Sequence, residues 1–305
     1  MIKVAIIINP KSGKGSGEDF IEKLKSFKVP NSVNLTIYIT EYPLHATSIA
    51  ENISKEFDRI IIAGGDGTLN EFVNGFDVES NTSIGLLPIG SGNDFSLSLY
   101  KDKINIDKIL MSYLSENIKL LKTDFGMIKL TESNGNIILK RFINSLGIGF
   151  DARVAYLNQT NKIFSGSLSY LISILRTFVK FNSIKFNIKI GDKRLNRNAL
   201  FCSIGNGESV GAGLYLMPGA QIDDGYLDLS IVDLKSRIKL LKLLPKAAKN
   251  EIKGIPELEQ MRFKKLEIVL ETPYYSHVDG EIVSSKTKEI EVNVLREALT
   301  FMILE

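Results

Sequence analysis

Residues 59–71 read RIIIAGGDGTLNE, and this stretch decides the fold of the first part of the chain. The run Arg59–Ala63 predicts a buried strand, and a helical pattern opens at Leu69. Glycines between a strand and a helix let backbone N–H groups converge on an anion, and the helix N-terminus adds positive potential. The turn Gly64–Thr68 is therefore predicted to bind a phosphate group, and a tight turn closed by an aspartate is the alternative.

Strands and helices alternate on both sides of this turn. Apolar β-branched runs predict the strands, and apolar residues at helical spacing predict the helices between them. The predicted strands are Val4–Ile8, Leu35–Ile39, Arg59–Ala63 and Ser83–Pro88, and the predicted helices are Glu18–Phe27, Ala46–Phe57 and Leu69–Gly75. This alternation implies right-handed crossovers and an α/β domain with a mostly parallel sheet covered on both faces.

Two further glycine-rich turns, Asn9–Gly17 and Pro88–Phe95, also follow predicted strands. Ligands of open parallel sheets bind at the carboxyl ends of the strands, so three such turns can surround one nucleotide. No P-loop sequence occurs, and Gly65-Asp66-Gly67 lacks the third glycine of a dinucleotide-binding fingerprint. Taken alone, Asn9–Gly17 is equally well explained as a solvated connection. The convergence of three turns is the stronger argument for a nucleotide site.

From about Asp124 the pattern changes to polar-apolar alternation with turn signals, which is typical of an antiparallel sheet. Two long helical patterns interrupt it, at Ser167–Phe181 and Ser236–Lys249. The predicted strands are Asp124–Thr131, Ile137–Phe142, Lys185–Ile190, Ala199–Ile204, Tyr226–Val232, Leu266–Leu270 and Ile290–Val294.

The length and composition fit an ordinary folded protein with two domains. The chain has 305 residues, of which 44% are hydrophobic and 24% are charged. We predict an α/β domain over residues 1–123 and an antiparallel β-sandwich over residues 124–295. Residues 296–305, which include the apolar run Leu299–Leu304, are expected to return to the first domain as an added strand.

The cysteine and histidine content excludes several kinds of site. The single cysteine, Cys202, lies in an apolar strand pattern and is predicted to be a core residue. A lone cysteine fits a reducing compartment, and two histidines beside one thiol nearly exclude structural zinc. We assign no functional role to His45 or His277. The first apolar run, Val4–Ile8, is too short for a signal peptide or a membrane span, so we expect a cytoplasmic protein.

Basic residues are concentrated between Lys235 and Lys253, where seven lysines and arginines accompany one acidic residue, Glu251. With leucines between them, they predict an amphipathic helix that contacts an anionic membrane surface or packs its leucines on the sandwich. Pro245 predicts a break or kink in this helix. The net charge of +3 is too small to predict nucleic-acid binding, and no nucleic-acid partner is expected.

Four linked motifs resemble the diacylglycerol kinase catalytic family, in its bacterial soluble lipid-kinase branch. The motifs are Asn9-Pro10-x-Ser12-Gly13, Gly64–Glu71, Pro88–Phe95 and Val278-Asp279-Gly280-Glu281. Their order and spacing match along nearly the whole chain, whereas Gly-Gly-Asp-Gly-Thr alone is shared with NAD kinases and is similar to the phosphofructokinase motif. The resemblance implies an ATP-dependent lipid kinase that uses Mg²⁺ and joins an α/β nucleotide domain to a β-sandwich.

Phosphoryl transfer from ATP needs neutralised phosphate charge and a group that orients or deprotonates the attacking hydroxyl, and carboxylates supply both. In a β-type stretch, Asp279 and Glu281 face the same way unless Gly280 bends the chain, and either is a candidate for the base. The segment Asp223-Asp224-Gly225 has the sequence of a β-hairpin turn. The candidate carboxylates outside ordinary helix faces are Asp66, Asp94, Asp124, Asp224, Asp279 and Glu281.

The resemblance also implies roles for single residues. Glu281 matches the general base that takes the proton of the lipid hydroxyl, and Asp66 matches an active-site carboxylate linked to nucleotide and metal. Gln221, Asp224 and Tyr226 match a structural magnesium site, in which one carboxylate and two backbone carbonyls hold the ion. The residues that we predict to contact ATP are Asn9, Ser12, Gly13, Lys14, Thr40, Gly64, Gly65, Gly67, Thr68, Asn70, Glu71, Gly90, Ser91, Asn93 and Asp94.

We therefore predict a kinase that transfers the γ-phosphoryl group of ATP to a lipid alcohol, with diacylglycerol as the first candidate. One alternative is an NAD kinase, against which stand Leu69-Asn70-Glu71, the Gly90–Asp94 turn and the Asp279–Glu281 motif. Another is a nucleotide- or lipid-binding regulator without turnover, against which the presence of both Asp66 and Glu281 speaks. We expect transient contact with the inner face of the membrane, and a homodimer is an assembly that the sequence allows.

Overall fold

The computed structural model describes residues 1–100, 105–160, 172–174, 176–177, 183–211, 213–233 and 237–304. The chain divides into two compact units. The first unit comprises Met1–Asp124 and Glu297–Glu305, and the second comprises Phe125–Arg296.

Four parallel strands form the sheet of the first unit. They are β1 (Ile2–Ile8), β2 (Val33–Ile39), β3 (Arg59–Gly64) and β4 (Ser83–Pro88), in the spatial order β2-β1-β3-β4. Residues 4–8 and 59–64 are buried throughout, as expected for parallel strands covered on both faces. At the outer side of β4, Phe301 pairs in parallel with Ile84. The predicted parallel N-terminal sheet is confirmed.

The described residues of the first unit form five α-helices. They are α1 (Ser16–Lys25), α2 (His45–Ile53), α3 (Asp66–Gly75), α4 (Asp94–Leu99) and α5 (Ile106–Tyr113). The prediction that α3 begins at Leu69 is wrong, because the helix begins at Asp66, directly after an extended Gly65. Gly67 has low helix propensity, which hid this first turn in the sequence, while Asp66 is favourable at a helix N-terminus. Helix α2 ends at Ile53 rather than at Phe57.

Within the described part of residues 125–296 the strands pair in antiparallel fashion, which confirms the second part of the predicted fold class. They enclose a core that includes Phe142, Phe186, Leu229 and Ile268. The strands are β5 (Lys119–Glu132), β6 (Ile137–Phe142), β7 (Ser145–Gly149), β8 (Ile184–Ile190), β9 (Lys193–Ala199), β10 (Phe201–Gly205), β11 (Ser209–Val210), β12 (Leu214–Tyr215), β13 (Leu227–Val232), β14 (Leu258–Phe263), β15 (Lys265–Val278) and β16 (Glu281–Ile303).

Two helices of the second unit are α6 (Phe150–Thr160) and α7 (Arg237–Ala248). Sequence patterns did not predict α6, whereas α7 lies where a helix was expected. The predicted break at Pro245 does not end α7, which continues through Pro245 to Ala248. Of the predicted helix Ser167–Phe181, residues 172–174 and 176–177 are helical, and the rest lies outside the described residues.

The core of the second unit contains Cys202, as the sequence predicted. Its side chain is fully buried in β10, and burial raises the pKa of its thiol well above the ordinary value. The predicted strand Ala199–Ile204 is in fact divided, because β9 ends at Ala199 and β10 begins at Phe201. Within the described part of the chain, no helix is long and apolar enough to cross a membrane.

Candidate active site

Three turns meet at the carboxyl ends of β1, β3 and β4 in the first unit. The backbone N–H of Asn9 donates to the Ala63 carbonyl at 3.1 Å, which joins the first turn to the second. The N–H of Ile89 donates to the Gly64 carbonyl at 3.1 Å, which joins the second turn to the third. The side chain of Asn9 also donates to Thr68 Oγ1 at 3.0 Å. The structure thus brings together the three turns that the sequence singled out.

Several glycines in these turns are required by backbone packing. A Cβ atom at Gly90 would lie 2.3 Å from the Cα atom of Gly65, so the second and third turns touch backbone to backbone. A Cβ atom at Gly13 would lie 2.1 Å from the Ile89 carbonyl oxygen, and Gly13 has a φ of +60°. The glycines therefore allow three turns to form one continuous backbone surface.

The region around Ser12–Gly15 is a tight 3-10 turn with unusual backbone angles. Gly13, Lys14 and Gly15 all have positive φ values, of 60°, 58° and 114°. Consecutive residues of this kind turn successive N–H groups toward one side of the chain, and such concavities favour anions. Ser12 is buried in this turn, and Lys14 is exposed.

Asp66 lies at the start of α3 and contacts the start of α4. Its Oδ1 accepts a hydrogen bond from the N–H of Phe95 at 3.3 Å. Asp94, in the first turn of α4, is buried. These carboxylates have the oxygen donors that Mg²⁺ prefers, and they lie beside glycine-rich turns, so the residues present fit a magnesium-nucleotide complex.

Asn93 closes its own turn. Its side chain accepts from the N–H of Gly90 at 3.0 Å and donates to the carbonyls of Pro88 and Gly90 at 3.1 and 2.8 Å. Its φ of +58° places it in the left-handed region, which asparagine tolerates better than most residues. These bonds give Asn93 a turn-forming role, and its predicted contact with ATP stays a prediction.

Three other predicted ATP-binding residues are engaged elsewhere in the first unit. The Glu71 carboxylate accepts from the N–H of Ala46 at 3.3 Å, near the start of α2. The oxygens of Asn70 accept from the side chain of Asn74. Thr40 follows β2, is buried, and donates its N–H to the Ile8 carbonyl at 2.9 Å. The contacts of Glu71 and Asn70 stabilise the helices, and the predicted contacts of Glu71, Asn70 and Thr40 with ATP stay predictions.

Asp279 and Gly280 form the two-residue turn of a hairpin in the second unit. Val278 pairs with Glu281 across the turn, and Asp279 and Gly280 have φ values of +47° and +84°. Two positive φ angles are typical of a type I′ turn, for which Asp-Gly is a preferred sequence. Of the two possibilities that the sequence left open, the structure has the one in which the chain bends at Gly280, and it reverses between Asp279 and Glu281. The Asp-Gly pair was the signal that could have revealed this turn.

The Asp279 carboxylate binds backbone N–H groups of residues 143–145. Its two oxygens accept hydrogen bonds from the N–H groups of Ile143, Asn144 and Ser145, at 3.0, 3.0 and 2.7 Å. The side chain is buried, and the N–H of Asp279 donates to the Ser145 carbonyl at 2.7 Å. A carboxylate engaged by three donors is a poor proton acceptor, so the geometry disfavours Asp279 as the base. Glu281 is exposed at the first position of β16 and is the better candidate.

At the predicted magnesium site, Asp224 forms an ion pair with Arg262. Asp224 Oδ1 accepts from the N–H of Tyr226 at 3.0 Å, and the other oxygen pairs with Arg262. The Arg262 guanidinium also lies 4.6 Å from the centre of the Tyr226 ring. A cation at Asp224 would need Arg262 to move, so magnesium binding by Gln221, Asp224 and Tyr226 stays a prediction. The described residues contain no cluster of three or more histidine, cysteine or acidic side chains that could hold a metal ion.

The hairpin interpretation of residues 223–225 is wrong. The strands on either side of these residues, β12 and β13, pair with other strands and not with each other. Nearby, burial raises the pKa of Asp228 to about 6. The carboxylates of Asp224 and Glu208 add to this shift, and Arg262 opposes it.

Two family profiles match most of the chain. The profile of the diacylglycerol kinase catalytic domain matches residues 3–125, and that of the YegS C-terminal NAD kinase beta sandwich-like domain matches residues 144–302. The chain belongs to the diacylglycerol kinase family. This confirms the predicted family and makes the protein a diacylglycerol kinase-like phosphotransferase.

Relatives of the kinase share its length. A diacylglycerol kinase of Staphylococcus saprophyticus is 28% identical over 288 residues, which cover 92% of this chain and 88% of the relative. One from Staphylococcus epidermidis is 29% identical over 289 residues, 92% of this chain and 85% of the relative.

Two solved structures share the fold. A crystal structure of a Bacillus anthracis diacylglycerol kinase has a TM-score of 0.71 and 22% identity, covering 99% of this chain and 97% of that one. A yeast NADH kinase in complex with NADH has a TM-score of 0.57 and 12% identity, covering 100% and 84%. At these identities the two structures show a shared fold.

Proposed function

We propose that the protein transfers the γ-phosphoryl group of ATP, with Mg²⁺, to the hydroxyl group of a membrane lipid. Diacylglycerol is the first candidate acceptor, because the family and its named relatives are diacylglycerol kinases. One observation carries the proposal. The same chain contains three glycine-rich turns that are connected by hydrogen bonds, and it also contains an apolar pocket. The turns fit a nucleotide, and the pocket fits a lipid.

The proposal that the protein binds a nucleotide is based on the first unit. The turn Ser12–Gly15 and the first turn of α3 offer backbone N–H groups to the phosphates, since the first N–H groups of a helix lack partners within the helix. Asp66 and Asp94 are the carboxylates that would hold the metal ion. When bound, Mg²⁺ neutralises charge on the phosphate oxygens during transfer.

The proposal that the acceptor is a lipid is based on a pocket in the second unit. It encloses about 590 Å³, including its mouth, and is lined mainly by aliphatic side chains such as Leu214, Leu216, Leu244 and Ile252. Of the described residues that line it, Asp151 has the one charged or polar side chain. A pocket with this apolar lining suits a hydrocarbon chain better than the charged and polar surface of a dinucleotide.

The proton step is assigned to Glu281. A lipid alcohol is a weak nucleophile at neutral pH, so a carboxylate that accepts its proton during attack on the γ-phosphorus raises the rate. The two-residue turn before Glu281 fixes the backbone at the start of β16. Asp279 supports this arrangement by holding residues 143–145 against the turn.

The decisive experiment incubates the purified full chain with γ-labelled ATP and Mg²⁺. The acceptors are vesicles that contain diacylglycerol or other lipid alcohols, and NAD in a parallel reaction. We expect label in a lipid and none in NAD. The matched control is Asp66→Asn, which should abolish labelling while the protein stays folded. Label in NAD alone would establish the NAD kinase alternative, and nucleotide binding without transfer to any acceptor would favour a regulator.

A further inference from the structure

A buried histidine and a buried aspartate lie next to each other in the second unit. The side chains of His277, in β15, and Asp151, in the first turn of α6, are each 6% exposed, and His277 Nε2 lies 3.6 Å from Asp151 Oδ2. The sequence analysis assigned no role to His277 and did not single out Asp151. Because the two residues are far apart along the chain, only the fold brings them together.

Gly147 makes this approach possible. It lies in β7, opposite His277 in the antiparallel ladder. A Cβ atom at Gly147 would lie 2.2 Å from both Asp151 Oδ2 and His277 Nε2, far closer than van der Waals contact allows. Glycine weakens the interior of a strand and often marks a site of close approach, so its presence here indicates that the contact is a specific feature of the fold.

Hydrogen bonding indicates which ring nitrogen carries the proton. The N–H of Gly280 donates to His277 Nδ1 at 3.3 Å, so the neutral ring carries its proton on Nε2. That nitrogen faces Asp151 Oδ2, which is buried and has no hydrogen-bond partner among the described residues. At 3.6 Å the two atoms are farther apart than in a hydrogen bond, so the pair is an electrostatic contact in which the Nε2–H group of His277 lies beside a buried acceptor that has no hydrogen bond within the described part of the chain.

We propose that Asp151 and His277 are positioning residues that hold the Asp279–Gly280 turn and thereby orient Glu281. The proposal rests on the proposed function, since it takes Glu281 as the proton acceptor. The contacts run from Asp151 through the His277 ring to the N–H of Gly280, the residue before Glu281. Asp279 holds the other residue of the turn. Both residues of the turn are therefore fixed.

Asp151 also connects this pair to the apolar pocket, which it lines. Its Oδ1 accepts from the N–H of Ala152 at 2.8 Å, while Oδ2 faces His277. Asp151 thus lies beside both the pocket that we assign to the lipid chain and the histidine that holds the turn. Small displacements of a reacting group lower rates strongly, so an anchor of this kind matters for turnover.

The first test does not depend on activity. The chain contains two histidines, so histidine labelled with ¹⁵N gives a simple NMR spectrum, and His45→Asn assigns the signals. At mildly alkaline pH we expect His277 to carry its proton on Nε2, and Asp151→Asn to shift that resonance. A proton on Nδ1, or an Nε2 resonance that Asp151→Asn leaves unchanged, would overturn the pairing.

The second test separates the two contacts of the ring. His277→Gln keeps an amide near the Nε2 position but removes the acceptor for Gly280, whereas His277→Asn keeps an acceptor near the Nδ1 position. We expect His277→Gln to lower kcat by about 10- to 100-fold with the KM for ATP unchanged. We expect His277→Asn to recover most of that loss. Equal losses in the two variants would contradict positioning through Gly280.

A double variant tests whether the pair acts through Glu281. If it does, adding His277→Gln to Glu281→Gln lowers kcat little further, because effects of residues that act as a unit are not additive. Multiplied losses would show a merely structural role and overturn the proposal. If the wild-type chain labels no lipid, the proposed function fails, and the NMR result still decides whether the pair exists.

Discussion

The Asp66 carboxylate connects α3 to α4 in the first unit. Asp66 is the first residue of α3, and its Oδ1 accepts the N–H of Phe95 in α4. We expect Asp66→Asn to abolish turnover while leaving thermal unfolding nearly unchanged, because the amide oxygen still accepts that bond but the charge needed for the metal is lost. A phosphotransfer assay beside a melting curve checks this. Near-normal activity would remove Asp66 from the mechanism.

Glu281 and Asp279 should respond differently to the same kind of substitution. We expect Glu281→Gln to lower kcat by ~10²–10⁴-fold with little change in ATP affinity or melting temperature, because the amide is a poor base. We expect Asp279→Asn to lower the melting temperature, because an amide cannot accept all three backbone N–H bonds. Steady-state kinetics, calorimetry with ATP and thermal unfolding measure these effects. A Glu281→Gln variant that mainly loses ATP or Mg²⁺ binding would make Glu281 a metal ligand.

Asp228 makes stability depend on pH. Burial raises its pKa to about 6 from 3.8, so between about pH 4 and 6 the folded state binds more protons than the unfolded state. Its contribution to the free energy of unfolding therefore falls as pH rises through this window. We expect Asp228→Asn to gain up to about 3 kcal/mol relative to the wild type between pH 4 and 7. Urea unfolding of both proteins at the two pH values checks this, and an unchanged difference would refute it.

At the scale of elements, the proposed nucleotide site depends on the contact between the second and third glycine-rich turns. We expect Gly90→Ala to lower ATP affinity by roughly tenfold, because the added methyl group meets the Gly65 backbone and pushes the turns apart. Gly135→Ala is a control with a positive φ and open space around it. Calorimetry with ATP should show an effect in the first variant alone. Equal affinity in both variants would show that the contact is dispensable.

Helix α7 combines both uses considered for the basic stretch. Leu243, Leu244 and Ala247 line the apolar pocket, while Lys242, Lys246 and Lys249 are exposed within or just after the helix. We expect replacement of these three lysines by glutamine to weaken binding to anionic vesicles by up to about 3 kcal/mol and to reduce its salt dependence. Binding to uncharged phosphatidylcholine vesicles is the control. An equal loss on both vesicle types would point to damaged packing of the helix.

Some elements were predictable from sequence because their signal is local. Strands β3 and β4 are short apolar runs bounded by turns, and their predicted and observed bounds differ by at most one residue. Strand β7 is rich in glycine and was missed, since its stability comes from burial between β10 and β15. Helix α6 has weak amphipathic spacing and was missed for a similar reason.

At the scale of the whole molecule, the sequence predicted the family and the fold class but not how side chains meet. The three glycine-rich turns, which are predicted to bind phosphate, could be found in the sequence because they follow adjacent strands of one sheet. The Asp151–His277 pair was not, because it depends on Gly147 and on a helix that no pattern indicated. The roles of Asn93 and Asp279 likewise depend on hydrogen bonds formed after folding.

The pairing of Phe301 with Ile84 bears on how the protein is made. Residues 297–304 belong to the first unit, yet the ribosome adds them after the whole of the second. Until they emerge, the nascent first unit has an unpaired strand edge at β4, and Phe95 of α4 lacks the ring of Phe301, whose centre lies 5.3 Å away. Open strand edges attract other chains. We therefore expect the first unit to complete its sheet only after the second unit has been synthesised.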